Sequence, residues 1–223
     1  MAANQLWVAD ITYVMLKTGD VCYLHLITDA YSHKIVGWEL ADTLRAAITI
    51  KALEQAIAQT GGVSLEGLVH HSDRGVQYCC DDYVGILKEH SVRISMTEDY
   101  NPTDNAIAER TNGIIKTETV YSRKTFNSIE HARNVIGRFI HFYNYNPPHM
   151  SIGYKTPAVV HMETGEQEEK LKNFSEEEMV QYIIKSIEDT GIKLNFVNSL
   201  HGTARGVSKG GIIDILSSAP KKY

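Results

Sequence analysis

Between Trp7 and Leu40 the chain carries three apolar runs of strand composition: WVADITYV (7–14), VCYLHLIT (21–28) and KIVGWEL (34–40). Short turn segments, LKTGD and DAYSH, separate them. A parallel crossover needs about a dozen residues or more, so connections this short predict an antiparallel meander. In the first run, alternation puts Val8, Asp10, Thr12 and Val14 on one face and Trp7, Ala9, Ile11 and Tyr13 on the other. Asp10 therefore sits in the middle of an otherwise apolar strand. A buried, unpaired carboxylate is costly, so such a residue is normally paired or bound to a metal.

The rest of the chain adds helices and further strands. Thr43 is placed to cap a helix through about Gln59, which ends at Gly61-Gly62. Residues 67–71, GLVHH, read as a fourth strand, 81–89 as a helix and 92–96, VRISM, as a fifth strand. Pro102 and Thr103 precede a helix over about 103–119, and another runs from about Ser128 to Tyr145, where Pro147-Pro148 end it. The order predicts an α/β domain, a mixed sheet with helices on its faces. Residues 163–223 change character. GEQEEKLKNFSEEE reads as an acidic linker, and Ser175 with Glu178 makes a capping box. Met179, Val180, Ile183, Ile184 and Ile187 then form an apolar helical face, followed by a glycine-rich basic tail. The expected division is a core over 1–162 and a helical and irregular C-terminal extension over 163–223.

Two further acidic residues join Asp10 as candidates. Asp73 ends the fourth strand in HHSDRG, and polar residues at the C-terminal ends of strands in such sheets mark the ligand-binding edge. Alone, either Asp also reads as a turn former or ion-pair partner. Glu109 lies in DNAIAERTNGIIKTE, with Asn105, Asn112 and Lys116 at i−4, i+3 and i+7 on one helical face. Ile107 and Ile114 fall on a different face and suit the core. A solvated polar stripe is the other reading of the Glu109 face. Together, the three carboxylates supply the hard oxygen ligands that Mg²⁺ or Mn²⁺ takes in two-metal phosphoryl transfer, which requires no side-chain nucleophile. Arg74, Arg110, Asn105 and Asn112 are candidate DNA contacts, with surface ion pairing the alternative for each arginine.

Charge tempers that reading. The chain has net charge −5, which opposes simple phosphate binding, because nonspecific DNA affinity comes mainly from Lys and Arg. Residues 1–160 hold 14 Lys+Arg and 17 Asp+Glu. The three proposed ligands account for that excess, and two bound divalent cations would turn the core slightly positive. Weak DNA binding without metal, and help from another domain, are expected.

These residues resemble the core of bacterial insertion-sequence transposases of the orfB type, in the retroviral-integrase superfamily. The likeness runs through WVADITYV, HHSDRGVQY and NPTDNAIAERTNGIIKTE and covers about residues 5–161. The family separates its second Asp from its Glu by 35 residues, and here residues 74–108 intervene. It places Lys or Arg seven residues beyond that Glu, matched by Lys116. Its closing motif is echoed by Tyr143, Asn144, Pro148, His149, Ser151, Gly153, Tyr154, Thr156 and Pro157.

The resemblance implies an RNase H-like five-stranded mixed sheet flanked by helices. It also implies that Asp10, Asp73 and Glu109 are catalytic and hold two Mg²⁺ or Mn²⁺ ions. One ion would activate water or a DNA 3′-hydroxyl while the other stabilises the leaving oxygen. The implied reaction is cleavage of the element's ends and their transfer into target DNA, with Lys116 positioning DNA. DNA, a homo-oligomer on DNA and a helix-turn-helix companion protein are the implied partners.

Two departures stand out. Pro147 occupies a position where relatives often carry Arg, and the sequence begins almost at the first strand, where relatives usually have helix-turn-helix regions upstream. They motivate a second reading, an inactive remnant that binds DNA or a full-length transposase. An RNase H-type nuclease is a third, which the 35-residue spacing and Lys116 disfavour. No run approaches the roughly 18–20 apolar residues of a membrane span, and the N-terminus lacks a secretory pattern. A cytoplasmic protein, nucleoid-associated when bound to DNA, is expected.

Cys22, Cys79 and Cys80 are too sparse for a disulfide framework. His70, His71, Cys79 and Cys80 suggest zinc, but adjacent strand residues face opposite ways and the spacing is wrong. Asp81, Asp82, Glu98, Asp99 and Asp104 read as caps, turns or solvated residues, and Trp7 and Trp38 as core. ARGVSKGGIIDIL weakly resembles a stretch of plasmid antirestriction peptidases without their HExxH helix, and a lineage-specific extension explains the tail equally well.

Overall fold

The first strand, β1 (Leu6–Met15), is the axis of the domain in a computed structural model that describes residues 2–97, 106–115 and 126–165. β2 (Val21–Asp29) folds back against it with Asp10 opposite Leu26 and Met15 opposite Val21. β3 (Ile35–Ala41) pairs with β2, also antiparallel. The meander predicted from the short turns is therefore present, with strand ends within about a residue of expectation. β4 (Val69–Ser72) and β5 (Arg93–Met96) add to the other edge of β1 in parallel, giving a five-stranded mixed sheet in the order β3-β2-β1-β4-β5.

Helices cover both faces. α1 (Ala46–Gln59), the single-turn α2 (Val76–Cys79) and α3 (Asp81–Glu89) lie on one side. Their core joins Trp7, Ala9, Ile27, Leu53 and Tyr83. α4 (Ala106–Ile115) and α5 (Ile129–Tyr145) lie on the other, around Val14, Leu24, Leu26, Ile115 and Ile136. The alternation within β1 decides this partition: Trp7 and Ala9 face the first helix layer, Val14 the second, and Asp10 shares the second face. Trp7 is fully buried, and Trp38 packs against the α4/α5 core, as expected of the two tryptophans.

Local chemistry explains most boundaries and the places where expectation fails. Ser128 caps α5, its hydroxyl accepting from the His131 N–H at 3.2 Å. Thr43 does not cap α1. Its hydroxyl accepts instead from the Arg45 N–H at 3.4 Å, a turn that precedes the helix by one residue, so α1 starts only at Ala46. β4 begins two residues later than predicted because Gly67 has φ +86°, a left-handed turn conformation incompatible with a strand. α2 escaped sequence reading because a single turn shows no periodicity.

The core reaches a little past Met162. Lys155 pairs with Glu163 at 2.7 Å, Ala2 bridges Thr164, and the Tyr31 hydroxyl donates to the Gly165 carbonyl at 3.2 Å. The remainder of the extension, 166–223, with its expected helix and glycine-rich tail, lies outside the described residues. Among the described residues no helix is long and apolar enough to cross a membrane.

Candidate active site

The parallel pairing of β1 with β4 builds the site. Val8 stands opposite His71, and two more residues along each strand come Asp10 and Asp73, abreast at the edge where β4 ends. Neighbouring strands lie only about 4.8 Å apart, so residues 63 positions apart in the chain share one corner of the sheet. Asp10 is half-buried, and its Oδ1 accepts from the Ile11 N–H at 2.8 Å. Asp73 is exposed, and its Oδ1 accepts from the Gly75 N–H at 2.8 Å. The turn-forming role open to Asp73 is thus real, and it leaves Oδ2 free of that bond.

The third element arrives from α4. Asn112 on this helix donates through Nδ2 to Asp10 Oδ2. Glu109 lies on α4 three residues earlier, so the contact brings the helix backbone at Glu109 within one turn of the group that touches Asp10. The side chains of Glu109 and Arg110 lie outside the described residues, as do Lys116, Asn105, Glu98, Asp99 and Asp104.

Asn112 itself is a surprise. The sequence placed it on a DNA-facing polar stripe, whereas it is 5% exposed and turned toward the sheet. Among the described side chains of α4, Thr111, Asn112 and Ile115 are buried and Ile114 is only partly covered, and the sheet meets Asn112 with a carboxylate rather than a hydrophobic side chain. Arg74 is exposed directly beside Asp73, consistent with its expected outward position.

Within electrostatic reach of the two aspartates lies a buried tyrosine that sequence reading did not assign. Tyr78 of α2 is 2% exposed. Burial first, then Tyr83, Asp10 and Asp73, raise its phenol well above the ordinary range and keep it neutral. Tyr78 packs edge-on to Tyr83, whose hydroxyl meets His70 Nε2 at 2.9 Å. Burial lowers the His70 pKa to about 4, so the imidazole is neutral. His71 points the other way, with Nδ1 2.9 Å from Ser95 Oγ. The two histidines of the discounted zinc constellation are thus engaged separately, and all three cysteines are free thiols. The signal for Tyr78 was its place five residues after Asp73 in HHSDRGVQY, but nothing local says that it is buried within electrostatic reach of both carboxylates.

The donors suit a hard divalent cation. Two carboxylates meet at one sheet edge, and beside them Asn112 Oδ1 is buried with no hydrogen-bond partner among the described residues, an oxygen left over by the bond that Nδ2 makes to Asp10. Among the described residues no third His, Cys, Asp or Glu completes the cluster.

Known proteins resemble this chain over most of its described core. Two models described as integrase core domain match the chain, one over residues 1–102 and the other over 90–157. The protein of insertion sequence element IS986/IS6110 from Mycobacterium tuberculosis is 36% identical over 160 residues, covering 70% of this chain and 57% of the relative. The transposase for insertion sequence element IS629 from Shigella sonnei is 34% identical over 155 residues, covering 70% of this chain and 51% of its own length. The chain therefore spans little more than half the length of the curated relatives it matches. Among solved structures, the catalytic core domain of the HTLV-2 integrase in complex with magnesium superposes with a TM-score of 0.56. It shares 22% identity and covers 72% of this chain and 98% of that domain, a likeness of fold to an RNase H-like core.

Proposed function

The chain belongs to the integrase core family, in the branch of insertion-sequence transposases of the orfB type, and from that premise we propose that it cleaves element ends and transfers them into target DNA. One observation carries the reading: the β1–β4 register sets Asp10 beside Asp73, and α4, which bears Glu109, is hydrogen-bonded to Asp10. Two aspartates from different strands and a glutamate-bearing helix then meet at the sheet edge where ligands bind.

In this proposal Asp10, Asp73 and Glu109 hold two divalent ions, Mg²⁺ or Mn²⁺. Bound there, such ions supply an activated attacking oxygen and neutralise charge on the leaving one. The protein's own groups set the stage. Asp10 is fixed from two sides, by Ile11 N–H and Asn112. Asp73 is held in its turn by Gly75. Arg74, exposed beside Asp73, is placed to neutralise a DNA phosphate, and we assign Lys116, Arg110 and Asn105 to the same DNA path. Tyr78, buried and neutral, adds no charge near the carboxylates.

We further propose that the chain works as a homo-oligomer on DNA, since two element ends must be held together, and with a helix-turn-helix partner that recognises those ends. We propose residues 1–162 as the catalytic core and 163–223 as an extension to it, whose first residues, 163–165, stay bound to the core.

The test is strand transfer by the purified chain on duplexes carrying the terminal repeats that flank its gene, with Mg²⁺ or Mn²⁺. Asp10→Asn, Asp73→Asn and Glu109→Gln each lose at least about a hundredfold in cleavage and joining, with circular dichroism unchanged. Wild-type joining by any one of them removes that residue from the site.

A further inference from the structure

We propose that the segment 179–187 of the C-terminal extension docks as a helix on a bare end of the sheet, formed by Ile11, Tyr13 and Met15 of β1 with Val21 and Tyr23 of β2. Trp7 and Ala9 belong to the core under the first helix layer, and strand alternation turns Ile11, Tyr13 and Met15 to the same face. The antiparallel register sets Tyr13 against Tyr23 and Met15 against Val21, and the two rings meet edge-on with centroids 5.7 Å apart. The first helix layer leaves this end uncovered: Tyr13 is 63% and Met15 55% exposed. The other face of the same strand ends is closed, with Val14, Leu16, Cys22 and Leu24 buried in the core beneath α4 and α5. An apolar patch shared by two adjacent strands, with a finished core behind it, is surface built to be covered.

The extension carries a piece that matches it. At about 100° per residue, Met179, Val180, Ile183, Ile184 and Ile187 fall within an arc of about 140°, while Gln181, Lys185, Glu188 and Asp189 fall on the opposite side. A helix this short is held by tertiary packing of its apolar face rather than by propensity, so it needs a surface to lie on. The dimensions agree. From Met179 to Ile187 a helix rises about 12 Å, and from Ile11 to Met15 the strand rises about 13 Å. The reach agrees as well. Gly165 is held by the Tyr31 hydroxyl and Thr164 by Ala2, next to the start of β1, where the Ala30 N–H donates to the Leu6 carbonyl. Tyr13 lies roughly 23 Å further along that strand, and residues 166–178 can span up to about 43 Å. A second copy docking through the same patch would leave the apolar face of 179–187 in water, whereas docking of the segment buries both surfaces.

The experiment is disulfide formation in a thiol–disulfide buffer, in the full chain with Cys79→Ser and Cys80→Ser to remove the two thiols that are not buried. Met15→Cys with Ile183→Cys is compared with Val159→Cys with Ile183→Cys. Val159 is also half exposed and lies shortly before Gly165 in the chain, so a segment that is tethered but undocked meets it at least as readily as position 15. The first pair is expected to close within one chain at least tenfold more readily than the second. Equal closure of the two pairs, or preference for position 159, overturns the proposal. So does a disulfide between two chains that rises with protein concentration, which makes a second copy the occupant. Hydrogen exchange on the unsubstituted chain is the second measurement, should the cysteine variants not fold. Amides of 179–187 are expected to exchange at least tenfold more slowly than in an unstructured peptide, and Met15→Asp to remove that protection while the amides of β4 are unchanged. Exchange of the segment at the unstructured rate, or protection that Met15→Asp leaves intact, overturns the docking equally.

Discussion

A methyl group on residue 37 would have nowhere to go. A Cβ there would stand 2.0 Å from the Ala52 carbonyl oxygen and 3.1 Å from the Ala56 side chain, because β3 and α1 touch backbone to backbone at this point. In KIVGWEL the glycine reads only as a weak spot in a strand, and the close approach that requires it belongs to a helix 15 residues away. Gly37→Ala is expected to destabilise the core by at least about 2 kcal/mol, measured as a lower urea midpoint. An unchanged midpoint would mean that α1 is not pressed onto β3. The candidate site residues follow the same division. Asp10 is conspicuous in sequence because an acid in an apolar strand needs a partner. That the partner is Asn112 is invisible locally, since helical periodicity assigned Asn112 to the polar face.

At the scale of elements, the long α5 is the clearest success of sequence reading, with its cap, its length and its terminating prolines all in place. What periodicity could not supply is how α5 fastens to the sheet. Asn144, near its C-terminal end, accepts from the Ile35 N–H at 3.0 Å and donates to the Ile35 carbonyl at 2.9 Å, acting as an added rung on the outer edge of β3. The pair also occupies an edge strand that would otherwise present unpaired backbone groups. Replacing Asn144 with Leu leaves two buried backbone groups without partners and is expected to cost roughly 2–4 kcal/mol in chemical denaturation. A loss under about 0.5 kcal/mol would show that water reaches Ile35 readily.

Across the whole molecule, acid is expected to loosen the fold in a defined window. His25 and His70 are buried, and desolvation lowers each pKa to about 4 from near 6.5. Below about pH 6.5 the unfolded chain takes up protons that the folded chain refuses, so stability falls from there down to about pH 4. At about 1.4 kcal/mol per unit, each histidine removes on the order of 3 kcal/mol. Asp29 adds to this at lower pH. It is fully buried, and burial opposes its charge most strongly; the His161 imidazole 3.8 Å away and the bonds from the Ser32 and Asn4 N–H groups and from the Ser32 hydroxyl outweigh that and lower its pKa. Its contribution is complete above the unfolded carboxylate range and is lost as pH falls through the lower folded value. Urea midpoints at pH 7, 5.5 and 4.5 check this; a flat profile would mean that these groups stay accessible to protons in the folded state. Asp29 also joins the first residues of the domain to the last, since Asn4 N–H reaches Oδ2 at 2.7 Å and His161 Nδ1 lies 2.9 Å from Ser32 Oγ.

The sequence by itself determined the strands, the principal helices, the family and the candidate site residues, because each is written in local pattern or in spacing along the chain. The tertiary structure alone decided that β4 lies parallel beside β1 so that Asp73 comes level with Asp10, that α4 turns Asn112 inward, and that Tyr78 is buried and neutral within reach of both carboxylates. The physical reason is range. Helix periodicity, strand alternation and caps act over a few residues, whereas the register of parallel strands and the partner of a buried polar group are settled by packing between segments that sequence keeps far apart.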